Sequence, residues 1–177
     1  GAEGIALTDY GARIERLPVP PAWGELTVQA FGMKDRDLIR ILAVVGSIQR
    51  LHDLANPEFW DRAGVEVAGS DHLTAYNIVA AALERFGYIR SSSDGEKEYG
   101  LRSDPFNEWC CERAYTGKAI QEVVLALRSV FKMLDMDLPQ PQSFRAVPAG
   151  SDLHRDFLRL LAKWQTLDFV QDGKSAA

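Results

Sequence analysis

The amino-acid sequence predicts a mainly α protein with one small β-hairpin. After residue 34, long stretches set apolar residues three and four apart, the spacing of one helix face. The run "YIRSSSDGEKEYGLR", residues 88–102, places two short strand-forming segments around an Asp-Gly pair of the kind that closes hairpins. With 177 residues, 46% of them hydrophobic, the chain is long enough for one good core with an appendage.

Residues 1–33 read as an extended N-terminal arm laid on the domain. Pro18, Pro20 and Pro21 disfavour a helix there. "ELTVQAF", residues 25–31, is β-branched and aromatic enough for a short strand, with Trp23 and Phe31 as packing anchors.

From Lys34 the period becomes helical. Leu38, Ile41, Leu42, Val45, Ile48 and Leu51 share one face, and Arg36, Arg40, Ser47 and Arg50 fall on the other, which predicts a helix over 35–54. A short second helix is expected over 57–63. Asn56 suits its cap, Pro57 its first position and Gly64 the left-handed residue beyond it. "VEVAG" allows a brief extended segment. Ser70 or Asp71 then caps a third helix, with Leu73, Tyr76, Val79, Ala80, Leu83 and Phe86 facing inward and Gly87 stopping it.

The hairpin follows, and Asp104 with Pro105 signals another helix start. Ile120, Val123, Val124, Leu127, Val130, Phe131, Leu134 and Leu138 form a sustained apolar stripe, and Gly117 either kinks one long helix or separates two. "PQPQSFRAVPAG" reads as an extended, proline-spaced connector without a core pattern. A last helix begins at Ser151, with Leu153, Phe157, Leu160, Leu161, Trp164 and Leu167 as its apolar face. The division is therefore an arm over 1–33, a domain over 34–104 and a helical region over 105–177.

Helix, helix, helix, strand, turn, strand, closing on "ALERFGYIRSSSDGEKEYGLRSD", resembles the winged-helix fold, and among its families the MarR type of bacterial transcriptional regulators. The resemblance covers about residues 35–115, and "LERFGYIR" followed by "YGLR" is its most specific part. It implies a winged helix-turn-helix-like domain whose third helix enters the major groove of double-stranded DNA and whose hairpin reaches the backbone. Helices outside that domain would build a homodimer. On this resemblance Thr74, Asn77 and Ile78 face the bases, with His72 a DNA-binding candidate near the helix N-terminus, Asn being suited to adenine and Thr to a thymine methyl or a phosphate. Arg90, Ser92, Lys97 and Arg102 would meet phosphate oxygens. A small aromatic effector would sit between dimer region and reading head, lined by Trp109, Tyr115 and Phe131.

A second reading stands beside the regulator. Winged-helix-like domains that serve only dimerisation or protein contact look the same at this level. "GVEVAGS" also supplies seven residues between the second and third helices, where a strict helix-turn-helix uses three or four. The net charge of -5 counts against a surface that binds nucleic acid all round. Residues 70–103 hold four Lys or Arg against five acids.

Enzyme classes find no support. There is no G-x-S-x-G, no glycine-rich phosphate loop and no dinucleotide fingerprint. Cys110 and Cys111 are adjacent on a helix, where their side chains diverge and cannot form an unstrained disulfide. With His52, His72 and His154 scattered, no metal-ligand spacing appears, and neither metal nor cofactor is expected. No apolar run of 18 residues and no secretory signal pattern is present, which places the chain in the cytoplasm.

Overall fold

The computed structural model describes residues 8–48, 51–56, 58 and 61–172. The expected extended arm is corrected: it holds two helices, α1 (Asp9–Arg16) and α2 (Pro21–Gly32). Thr8 caps α1 by accepting from the Gly11 N–H at 3.1 Å. Pro21 occupies the start of α2, where its missing N–H would have been unpaired in any case. The prolines thus mark a helix start. The expected strand "ELTVQAF" lies inside α2, where Leu26, Thr27, Val28 and Ala30 are buried. Burying one aliphatic side chain is worth about 1.5–3 kcal/mol, against a β-propensity scale that spans about 1 kcal/mol, so packing decides.

Asp35 caps α3 (Arg36–Ser47), accepting from the N–H groups of Asp37 and Leu38 at 3.1 and 3.0 Å. This helix stops earlier than the predicted 35–54. Ser47 turns its hydroxyl back onto the Ala43 carbonyl at 2.7 Å, Ile48 is extended, and α4 (Leu51–Leu54) is a separate single turn. Residues 49 and 50 lie outside the described residues, as do 57, 59 and 60 of the short helix expected over 57–63. Of that helix, 61–63 are irregular chain and turn; Asn56 accepts from the Glu58 N–H at 3.1 Å, and Gly64 has φ 77°. "VEVAG" is turn and irregular chain rather than extended.

Ser70 is the cap of α5 (Asp71–Phe86), its hydroxyl accepting from the Leu73 N–H at 3.3 Å. Every residue from 73 to 80 is buried, so α5 is the central helix, covered on all sides. Gly87 ends it through close approach and not through a left-handed turn: its φ is -71°, and a Cβ there would come within 2.5 Å of the Leu83 carbonyl. The hairpin pairs β1 (Tyr88–Ser91) antiparallel with β2 (Lys97–Gly100), Tyr88 opposite Gly100 and Arg90 opposite Glu98. Gly95 takes φ 80° in its turn, as the Asp-Gly pair predicts.

Ser103 caps α6 (Asp104–Arg113), which ends on the left-handed Ala114, so Gly117 opens a separate helix, α7 (Gly117–Met133). A bridge from Ala55 to Tyr115, and the Thr116 N–H donating to the Leu54 carbonyl at 2.8 Å, stitch α4 to the α6–α7 junction. The α7 stripe is buried against α3 and β2 of the same chain and belongs to the same core as α5.

The proline connector, expected to lack core residues, contributes three. Pro141, Phe144 and Val147 are buried, and a short 3-10 turn spans Pro141–Ser143. The last helix, α8 (Asp152–Asp172), seats Phe157 and Leu160 in the core, with Leu153, Leu161 and Trp164 partly buried beside them. The side chain of Leu167 lies outside the described residues. The result is a mainly helical body with one two-stranded antiparallel sheet.

Candidate interaction surface

The helix expected to read bases has its polar residues inside. Thr74 is 3% exposed, donates to the Ser70 carbonyl at 3.0 Å and accepts from the Val67 N–H at 2.9 Å. Asn77 is also 3% exposed. Its Oδ1 accepts from the Val147 N–H at 2.8 Å, and its Nδ2 donates to the carbonyls of Val147 and Val65 at 3.2 and 3.0 Å. Ile78 is fully buried. The exposed face assigned to Thr74, Asn77 and Ile78 is therefore corrected: they pack and pin the loops that cover α5. Two irregular segments bring backbone groups onto a buried helix, and those groups need partners away from water. Only His72 reaches the surface. Its ring meets Trp23 edge-on at 5.0 Å, and burial there lowers its pKa, with Asp71 opposing.

The hairpin cations are only partly free. Arg90 pairs with Glu98 across the strands at 2.9 Å and buries its Nε without a partner among the described residues. Ser92 closes the turn, its backbone N–H donating to the Glu96 carbonyl at 2.7 Å and its hydroxyl to the Asp94 carboxylate. Lys97 and Arg102 are exposed. The acids of the hairpin turn toward α7. Arg128 reaches Asp94, Glu96 and Glu98 at 2.5, 3.2 and 3.4 Å, and Lys132 reaches Glu96 at 2.5 Å. The Asp94 carboxyl is held down at about 2, first by the Ser92 hydroxyl, then by the Glu96 backbone N–H, with Arg128 adding to both. The tip is thus an acidic loop clamped to a basic helix segment.

The expected effector cage is a packed core. Trp109 and Tyr115 are each 6% exposed and meet edge-on at 5.0 Å, and Phe86 and Phe106 fill the space beside Trp109. The guanidinium groups of Arg85 and Arg113 lie over the Trp109 ring at 6.0 and 5.5 Å. The Tyr115 hydroxyl donates to the Asp61 carbonyl at 2.8 Å. Phe131 is buried and makes no ring contact with either among the described residues.

What the fold leaves outward is a different set of residues. The Tyr88 ring lies over Gly100, where a Cβ would come within 2.3 Å of it, so only glycine fits beneath. Gly100, Arg90, Arg102, Gln121 and Leu125 line a shallow hollow of about 30 Å³ between the hairpin and α7. Gln121 fixes its floor by donating to the Leu101 carbonyl at 2.7 Å. Tyr88 and Leu125 are each 42% exposed. Arginine and an exposed aliphatic line the hollow, and Tyr88 covers the glycine that lines it; arginine and tyrosine are residues that anchor protein contacts. Sequence reasoning passed over Tyr88 and Leu125, although Leu125 falls off the α7 stripe and so carried a signal.

Among the described residues no group of three or more His, Cys, Asp or Glu could hold a metal ion, and no helix is long and apolar enough to cross a membrane. No family model, no curated protein and no solved structure matches the chain.

Proposed function

We propose that the chain is a winged-helix-like protein-interaction module that does not bind DNA, with the hairpin–α7 surface around Tyr88 and Leu125 as its contact face. The observation that carries this reading is the burial of Thr74, Asn77 and Ile78. Base readout needs side chains that can leave the protein and meet base edges, and these three are committed to the core. The hairpin supports the same reading, because its acids outnumber its cations and its tip is tied to α7. A phosphate backbone would meet Asp94 and Glu96 before it met a free lysine.

Titration of mixed-sequence duplex DNA at about 50 mM salt, where screening is weak, tests the first half. The expected outcome is no binding, and an affinity that falls steeply with added salt would overturn the reading. Sedimentation of the wild type beside Leu125→Glu tests the second half for self-association. Concentration-dependent dimers that the substitution breaks place the contact on this face; dimers that survive it place the contact elsewhere.

A further inference from the structure

A cleft of about 550 Å³ opens beside α5, lined by Asp37 and Arg40 of α3, Tyr76 of α5, Gln142, Ser143, Arg145 and Ala146 of the connector, and Leu153 of α8. Its size falls within the range of small-molecule sites. Tyr76 forms its floor. That residue is only 2% exposed, but its hydroxyl is not closed off from the cleft, and no group of the described residues bonds it. The hydroxyl is therefore left to water or to a polar ligand group entering the cleft.

Two cations line the same cleft. Arg40 keeps its side chain only 16% exposed and pairs with Asp37, an engagement that leaves several of its five N–H donors unused. Arg145 stands at the rim and has no carboxylate partner among the described residues. Two guanidinium groups against one carboxylate leave a net charge of about one positive unit, which suits a monoanion better than a phosphate dianion. Leu153 and Ala146 give the cleft an apolar side.

We propose that this cleft binds a small organic monocarboxylate, whose carboxylate is held by Arg40, Arg145 and the Tyr76 hydroxyl while its apolar part lies against Leu153 and Ala146. Burial raises the Tyr76 phenol well above its ordinary range, Arg40 only partly opposing this, so the group stays protonated at neutral pH and donates. The connector segment that carries Arg145 is itself pinned to α5 through Asn77 and Val147, so the site is built before a ligand arrives.

The test is a titration of the whole chain, followed by amide NMR at Ser143, Ala146 and Leu153, with acetate, hexanoate, benzoate and inorganic phosphate, each to about 10 mM, a range that suits ligands of so few atoms. Saturable shifts at those amides with hexanoate or benzoate are expected, with acetate weaker and phosphate no better than acetate. Tyr76→Phe, which keeps the ring, should weaken the tighter acid about tenfold, and Arg145→Ala at least as much. Both variants should keep the wild-type spectrum elsewhere. No saturable shift with any of the three acids, binding that neither variant weakens, or phosphate binding more tightly than every carboxylate would each overturn the proposal.

Discussion

The side-chain amide of Asn77 holds Val147 from both sides, accepting its N–H at 2.8 Å and donating to its carbonyl at 3.2 Å across 70 residues of chain. The same amide donates to Val65 at 3.0 Å, so one buried side chain ties two loops to the central helix. Asn77→Ala strips all three backbone groups of their partner at a site closed to water. A loss of about 2 to 4 kcal/mol in chemical denaturation is expected. A loss within experimental error of zero would mean that the loops are held by something else.

The connector has a second anchor in Phe144, which is fully buried and meets Tyr99 edge-on at 5.6 Å, while the Tyr99 hydroxyl donates to the Pro139 carbonyl at 2.5 Å. Phe144→Ala should cost about 3–5 kcal/mol by the cavity it leaves. Amide exchange should quicken over 139–147 first, because those residues have no regular ladder to fall back on.

Acid should release the hairpin tip. The Asp94 carboxyl sits at about 2 in the folded chain against an ordinary 3.8, a depressed value, so its contribution is present above the ordinary value and is lost as the pH falls toward about 2. The Glu96 and Gly95 amide shifts should therefore move over that window, and Asp94→Asn should abolish the movement that belongs to this group. Arg128→Ala should quicken exchange at the hairpin amides at neutral pH while leaving α5 protected.

The paired cysteines should react unequally. Cys110 is buried, and that burial, with Cys111 beside it, pushes its thiol up to about 11, whereas Cys111 is exposed. A thiol-alkylating reagent at about pH 8 should add once, at Cys111, before the fold opens. Mass spectrometry of the tryptic fragment settles which sulfur carries the adduct.

Much of the architecture was legible because it is local. The 3.6-residue period found α5 and the α7 stripe, Ser151 marked the start of α8, and Asp94-Gly95 marked the turn of the hairpin. The arm over 1–33 was misread because proline forbids a helix interior but favours a first turn, and nothing local says which applies at Pro20 and Pro21. The site failed for a longer-range reason. Periodicity sees Thr74 and Asn77 as polar residues on a helix and so turns them outward; their partners come from Val67, Val65 and Val147, and no window on α5 contains all of those. Tyr88 needed the strand register, which alone shows that it stands over Gly100.

The hairpin is fastened at two places with different chemistry, its tip to α7 through Arg128 and Lys132, and its base to the connector through Tyr99. A limb that swings to meet a partner has one root and a free end. This one is a strut: it spans the junction where α7 ends and the connector toward α8 begins, so neither side of that junction can shift without pulling on the hairpin.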